Sequence, residues 1–356
     1  MRKIVVGLSG GIDSFVTALL LRQQGYEVIG VNMDLWPANG QVHNRDLEEF
    51  CKQIEIPLYR IEGRERFGRD VVLPFLQGYL AGITPNPCAV CNRFVKWELL
   101  KEFADRQGIQ HIATGHYVRI GKENGHYYIY KGVDSNKDQS YFLWGVNEMI
   151  LSRALTPLGI YRKEEVKEIA RMNGFPLLAK QRESSGICFL QGTDYRTFIC
   201  QHTGSSFGSS TGEIWDEQGN VLGSHHGVLN YTIGQKRDIP LKDGNPQYVS
   251  RIEAGSNRII VSDKSALFRK RIEIESVHLI DPEEMNAADI EIKVRGLGLN
   301  PSGYVQVEKL PGNRLMLYLS HPAWAVAPGQ PVALYRGERL IGGGIVRKTI
   351  IDGDES

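Results

Sequence analysis

Three short segments carry residue types that could do chemistry. The first is Ser9-Gly10-Gly11-Ile12-Asp13-Ser14, between an apolar run and a helical pattern. Adjacent glycines let the backbone turn sharply and approach a ligand. A helix starting near Asp13 aims free N–H groups at that turn, and Ser9 and Ser14 add hydroxyls, so the segment suits an anion. The lysine-bearing phosphate loop GxxxxGK[ST] is absent. The plain alternative is a glycine turn with a serine cap. The second segment is 84–92, where Pro85 and Pro87 stiffen a loop and Cys88 and Cys91 form a CxxC just ahead of a helix. A thiol at a helix N-terminus is expected to have a lowered pKa and to be nucleophilic. Structural zinc would need a second ligand pair, and none is suitably spaced. A pair of inert buried thiols is the other alternative. The third segment is 184–190, where Cys188 lies in an apolar, strand-like run; taken alone it reads as a core cysteine. Cys51, near Leu47 and Ile54, and Cys200, near Phe198 and Ile199, also read as core.

Alternating strands and helices are the elements that must position these residues. Strands are expected at 3–8, 28–33, 58–61 and 111–114, and helices from Ser14 to about Gly25, at 46–54, 71–80 and 94–106. That alternation is the pattern of a parallel sheet covered on both faces. Residues 117–120 and 127–130 flank Glu123-Asn124-Gly125, a hairpin signal, read as an insertion. Residues 163–172 form an amphipathic helix opened by Glu164 and Glu165 and closed by Gly174. Beyond about 200 no long helix is expected. Serine and glycine cluster at 203–212, and short strand-like runs recur between Gly and Pro to the end of the chain. Two small β-rich units follow, the last a barrel. The expected domains are 1–200, 201–271 and 272–356.

Composition sets the outer limits. The 356 residues are 42% hydrophobic and 23% charged, which is ordinary for a folded chain of two or three domains. Glycine, at 39 residues, is well above the usual share and implies many turns. A net charge of +1 neither demands nor excludes a nucleic acid, so an RNA partner would need segregated basic patches. Gln235-Lys236-Arg237 and Arg269-Lys270-Arg271 are candidates, with ordinary surface charge as the alternative. No apolar run reaches the roughly 18 residues of a membrane helix, and the N-terminal apolar stretch is too short for a signal peptide. Five cysteines do not make a disulfide framework, so a reduced cytoplasmic protein is expected.

The segments together resemble one family, the tRNA-specific 2-thiouridylases, which place sulfur on the wobble uridine of certain tRNAs. SGGxDS after a first strand is itself the signature of pyrophosphate-loop enzymes, which cleave ATP to AMP and pyrophosphate. The resemblance runs in order through GLSGGIDS, NMDLW, GYLAGITPNPCAVCNRFVKW, ATGHYVRI, GVDSNKDQSYFLW, SSGICF, HHGVLNYTIGQKR and GERLIGGGI. It implies an α/β pyrophosphate-loop domain, Rossmann-like and akin to the adenine nucleotide α-hydrolases, followed by two β-rich domains, the last a β-barrel. It implies ATP and Mg2+, a tRNA anticodon loop, a persulfide donor protein (a cysteine desulfurase or a relay), no membrane, and a monomer. Adenylation of the uridine 2-carbonyl oxygen would make AMP the leaving group, and a persulfide or hydrosulfide would attack the activated carbon.

By the same resemblance Cys188 carries the persulfide. Cys91 attacks it to release sulfur, and the two end as a disulfide. ATP contacts fall on Gly7, Leu8, Ser9, Gly10, Gly11, Ile12, Asp13, Ser14, Met33 and Gly115. Target-base contacts fall on Asn86, Pro87 and Cys88, and tRNA contacts on His116, Lys137, Asp138, Gln139, Arg295, Gly296 and Gln330. Bland readings stand beside some of these: a structural histidine at 116, a solvated turn at Lys137-Asp138, a mere helix cap at Asp13. The chain also departs from the family. Cys88 stands where some members carry an acid/base aspartate. Phe15, expected in the core, replaces a second serine, and Arg295-Gly296 replaces an Arg-Tyr pair, which would remove an aromatic stack. The linker after Trp36 is shortened. An iron–sulfur cluster on Cys88, Cys91 and Cys188 is the alternative to the persulfide route. Rival functions are a pyrophosphate-loop ligase or thiolase acting on another RNA or a small molecule, and a non-catalytic RNA- or metal-binding module.

Overall fold

The computed structural model describes residues 2–37, 42–181, 186–203, 210–240, 247–296 and 300–351; of 42–46 it describes the backbone only. Ser184 and Ser185, and most of the 203–212 cluster, lie outside the described residues.

The N-terminal sheet has five parallel strands in the order β3-β2-β1-β4-β7. They are β1 (Lys3–Gly7), β2 (Glu27–Asp34), β3 (Leu58–Glu62), β4 (His111–Ala113) and β7 (Ala154–Leu155), with the hairpin strands β5 (Val118–Glu123) and β6 (His126–Lys131) intervening in the chain. The period of two along a strand sends Ile4 and Val6 to one face and Val5 to the other. The first face packs on Phe15, Val16 and Leu19 of the Ile12–Gln23 helix and on Val166 and Ala170 of the Lys163–Met172 helix. The second packs on Trp97, Leu100 and Phe103. Phe15 is thus in the core, as its apolar side chain requires. The chain leaves β1 toward β2 and β3 on one side and places β4 on the other. The strand order therefore reverses between β1 and β4, and the crevice beyond their carboxyl ends is where such sheets bind ligands.

Two of the helices begin earlier than their periodicity suggests, and both widen. Residues 64–80 are continuously helical, with a wider turn at Gly68–Val72, and residues 87–106 likewise, with one at Asn92–Lys96. In such turns the backbone bonds from i to i+5.

Beyond Thr203 the described residues are β-rich. Strands β8 (Gly212–Trp215), β9 (Val221–His225), β10 (Tyr248–Glu253) and β11 (Arg258–Ser262) form a sheet in the order β10-β11-β8-β9. The last sheet joins β12 (Phe268–Leu279), β13 (Ile290–Lys293), β14 (Val305–Leu310), β15 (Arg314–Trp324), β16 (Pro331–Arg336) and β17 (Arg339–Ile350). The β5–β6 hairpin is no detached insertion. Tyr130 and Ile129 of β6 pair with Arg339 and Leu340 of β17, so the hairpin extends the C-terminal sheet and ties it to the first domain. Among the described residues no helix is long and apolar enough to cross a membrane.

That tie is reinforced by ions. Buried Arg339 bridges Glu284 and Glu123, while Tyr128 donates to Glu284 Oε1 at 2.6 Å and Arg336 reaches Glu284 Oε2 at 3.1 Å. Removing one partner of a buried pair strands the other charge. Arg339→Met is expected to cost about 3 kcal/mol in urea unfolding, and adding Glu284→Gln to recover part of it.

Candidate active site

The loop after β1 is held open by its own side chains. Gly10 has φ +86°, accessible at no cost only to glycine. The Ser9 N–H donates to Ser14 Oγ at 3.1 Å, and Ser14 Oγ donates to the Gly11 carbonyl at 3.0 Å. Gly11, not Asp13, is the N-cap of the helix. Asn32 of β2 donates to the Leu8 carbonyl at 2.8 Å, and Met33 lies against Gly7. These contacts leave the amides at the start of the helix for a ligand.

The segment after β4 meets this loop from the other side of the switch point. A Cβ on Gly115 would lie 2.8 Å from the Asp13 carbonyl carbon and 2.9 Å from the Ser14 nitrogen, so only glycine permits the approach. Tyr117 donates its hydroxyl to Asp13 Oδ1 at 2.7 Å, and Lys163 Nζ reaches the same oxygen at 2.6 Å. Asp13 is therefore the centre of a polar cluster rather than a cap. His116 Nδ1 lies 2.7 Å from Thr114 Oγ1, and its ring stacks on Trp97 at 5.7 Å. Burial first, and the Lys96 charge second, push His116 down to about 3, so it is neutral near pH 7.

From His116 the cluster continues to the thiols. The Lys96 charge bears on His116, Cys88 and Cys91, and Cys188 bears on all but His116. Burial works against the Lys96 ammonium, but Cys91, Cys88 and Cys188 outweigh it and hold its pKa above the ordinary lysine value. Cys91 is buried, Cys88 half-buried and Cys188 exposed. Burial pushes Cys91 up to about 11 and raises Cys88, although Lys96 opposes both shifts. The expected low thiol pKa at a helix N-terminus is thus overturned by desolvation. Cys188 is not on a strand. It opens a short turn, Cys188–Leu190, anchored by Phe189 in the aromatic core beside Cys91, which leaves the Cys188 thiol outside. Cys51 is core, its thiol raised to about 11 by burial, whereas Cys200 is exposed. Phe198 and Ile199 use the buried face of the Tyr195–Thr203 helix, and the next position turns outward.

The remaining expected site residues are spread around this centre. Asn86 caps the 87–106 helix, its Oδ1 accepting from the Ala89 N–H at 3.2 Å, and Pro87 is buried in the first turn. Gln330 Nε2 donates to the Thr84 carbonyl at 2.7 Å, and the Thr84 N–H to the Pro328 carbonyl at 3.0 Å, so the turn between β15 and β16 buttresses the segment leading into the 87–106 helix. Asp138 is no solvated turn. Its carboxylate, 4% exposed, accepts from Gly132, Ser140 and, at 2.9 Å, Lys293. Lys137 sits in the same turn, its N–H donating to the Asp134 carbonyl at 3.0 Å. Gln139 Oε1 receives the Tyr117 N–H at 3.0 Å. The guanidinium of Arg295 lies 5.3 Å from the Trp324 ring centroid. A Cβ on Gly296 would lie 2.9 Å from the tip of the Phe142 ring. Among the described residues no group of three His, Cys, Asp or Glu side chains is placed to hold a metal ion.

Sequence reasoning missed Lys96, Tyr117, Asn32 and Lys163. Lys96 follows Cys91 by five positions, which an α-helix would rotate by about 140° from it. The wide turn at Asn92–Lys96 brings it back. Only the NRFVKW segment after CxxC hinted at it.

A parallel α/β sheet with an anion loop after its first strand, at the point where the strand order reverses, defines a pyrophosphate-loop enzyme. The tRNA methyl transferase HUP domain family matches residues 2–192, the tRNA methyl transferase PRC-barrel domain 196–263, and the aminomethyltransferase beta-barrel domain 269–346. The chain is 40% identical to the tRNA-specific 2-thiouridylase MnmA 2 of Phocaeicola vulgatus, over 97% of each chain. It is 38% identical to MnmA of Acidithiobacillus ferrooxidans, over 98% of this chain and 99% of that one. Against MnmA of Amoebophilus asiaticus the identity is 36%, over 97% and 95%. The chain belongs to the tRNA-specific 2-thiouridylase family.

Two outcomes are expected. Gly115→Ala must push the Asp13–Ser14 backbone aside, and AMP formation should fall about 100-fold with little change in melting temperature. His116, held near 3 when folded, takes a proton more readily when unfolded, where its pKa is 6.5. Its contribution is full above pH 6.5 and is lost as pH falls toward 3, at about 1.4 kcal/mol per pH unit. Urea unfolding at a series of pH values should show that slope, and His116→Gln should reduce it.

Proposed function

We propose that this chain is a cytoplasmic, monomeric enzyme that uses ATP to replace the 2-oxygen of a tRNA wobble uridine with sulfur. The observation that carries the reading is the approach of Gly115 to the β1 loop, with His116, Lys96 and the three thiols beyond it linked by the Lys96 charge. Methyl transfer, named in the domain descriptions, has no need of ATP cleavage at such a loop.

The uridine 2-oxygen attacks the α-phosphorus of ATP, held by Gly7–Ser14, Met33 and Gly115, and pyrophosphate departs to the loop amides. Mg2+, bound with the phosphates at this loop, would supply charge neutralisation there. The base enters beside Asn86, Pro87 and Cys88, since an anticodon-loop base leaves its stack at small cost. His116, Lys137, Asp138, Gln139, Arg295, Gly296 and Gln330 form or support the surface that receives the loop. Exposed Cys188 accepts a sulfur atom from a persulfide donor protein. Its terminal sulfur attacks C2 and AMP leaves with the oxygen. The Cys91 thiolate then attacks the Cys188 sulfur, leaving the transferred sulfur on the uridine and a Cys91–Cys188 disulfide, which an external thiol reduces. The division of exposure supports these roles: the acceptor of donor sulfur must be reachable, and the resolving thiol must be kept from stray oxidants.

The test is mass spectrometry of tRNA nucleosides after incubation with ATP and a persulfide donor. Cys91→Ser and Cys188→Ser should each abolish 2-thiouridine, whereas Cys51→Ser and Cys200→Ser should not. AMP should be the RNA-stimulated nucleotide product; ADP, or a Cys188→Ser enzyme still active with the donor, would refute the reading.

A further inference from the structure

A chain of polar contacts ties the β1 loop to the C-terminal sheet. Its near end is Tyr117, whose hydroxyl donates to Asp13 Oδ1 at 2.7 Å. The Tyr117 backbone is itself gripped twice. Gln139 takes the Tyr117 N–H on its Oε1 at 3.0 Å and gives its own N–H to the Tyr117 carbonyl at 3.3 Å. Gly132 lies so close that a Cβ there would stand 2.6 Å from the same carbonyl oxygen.

Asp138 organises both grips. Its Oδ1 accepts from the Gly132 and Ser140 N–H groups, each at 3.2 Å, and its Oδ2 accepts from Ser140 Oγ at 2.9 Å, with Gln139 held between. A carboxylate buried this deeply needs a countercharge. Lys293, the last residue of β13, supplies it at 2.9 Å. The Tyr335 ring centroid lies 5.5 Å from that ammonium, and the Tyr335 hydroxyl meets Ser140 Oγ at 2.9 Å, so β16 fixes the same group from a second point. A buried ion pair adds little stability that apolar packing would not give. It does fix one atom relative to another, and here the fixed atom belongs to the turn that sets Tyr117.

We propose that Lys293 is a positioning residue for ATP cleavage. Through Asp138 it seats Gln139 and Gly132 on Tyr117, and through Tyr117 it seats Asp13 in the β1 loop. The nucleotide site is thus incomplete without the C-terminal sheet, although no residue of that sheet touches the loop in this chain of contacts. The assignment rests on the reading that the β1 loop holds ATP for cleavage to AMP. Because Arg295 follows Lys293 by two positions, direct contact of Lys293 with RNA is the rival role.

The experiment uses the full chain at saturating ATP and tRNA and compares Lys293→Met, Tyr117→Phe and the double variant. Each single change should lower kcat for AMP formation about tenfold, and the double variant should fall no more than about twofold below the weaker single. The Kd for tRNA should change less than about threefold. Independent losses that multiply to about a hundredfold, or a weakened tRNA Kd with unchanged kcat, would overturn the assignment. Hydrogen exchange read by mass spectrometry gives a second measure that needs no turnover. Lys293→Met should speed exchange at Tyr117 and Ser140 and leave the amides of β1 and β4 unchanged. Uniform acceleration, or none, would show a merely structural pair. Should Lys293→Met fail to fold, Lys293→Gln, which keeps a donor for Asp138, is read in the same cycle and exchange measurement. Wild-type enzyme yielding ADP would sink the underlying reading, whereas the exchange result tests the positioning without it.

Discussion

The close packing of Gly115 on the Asp13–Ser14 backbone is the constraint on which the site depends. It joins the loops that follow β1 and β4, the two strands flanking the switch point of the sheet. Any side chain at 115 would occupy backbone space. With the contact made, Tyr117 arrives over Asp13, and His116 is carried onto Trp97 of the neighbouring helix. The β1-loop half and the thiol half of the candidate site are thereby tied to one backbone approach. The rest of the molecule supports it from outside: Gln139 fixes Tyr117, and the turn between β15 and β16 braces Thr84 through Gln330 and Pro328.

Much of this was legible in the sequence, for physical reasons. The parallel sheet showed as apolar runs alternating with helical periodicity, because strands buried on both faces need β-rich apolar residues throughout. The anion loop showed because two adjacent glycines and flanking serines suit few other purposes. The Lys163–Met172 helix was legible to the residue, since a polar face, an acidic first turn and a terminal glycine all agree. The short strands β8, β9 and β10 were not, because four to six residues with mixed burial carry little periodicity. The pairing of β6 with β17 joins residues some 210 positions apart, and no local pattern encodes that.

The site residues divide along the same line. Cysteines, glycines and the prolines of the 84–92 loop announce themselves by type. Lys96 and Lys163 do not, because a lysine is nearly always a surface residue and only tertiary structure shows otherwise. The exposure of each thiol was equally hidden. Cys188 and Cys200 both have apolar neighbours in sequence, yet Phe189 in one case and Phe198 and Ile199 in the other take the interior positions and leave the thiol outside.

The cysteine at 88 changes the charge of the site rather than merely its acid/base supply. A carboxylate there would face Lys96 and neutralise much of it. With a thiol whose pKa burial raises, and a neutral His116, the ammonium of Lys96 is the charge that acts on all three sulfurs. A single fixed cation in a desolvated pocket favours sulfur anions over their protonated forms. It also opposes part of the burial penalty on Cys91, the sulfur that must ionise last in the proposed sequence. In the proposed sequence a protein carboxylate is then not needed to generate the nucleophile, because a persulfide is intrinsically more acidic than a thiol. The wide helical turn that places Lys96 behind the CxxC is, on this argument, what lets the loop work with cysteine at position 88.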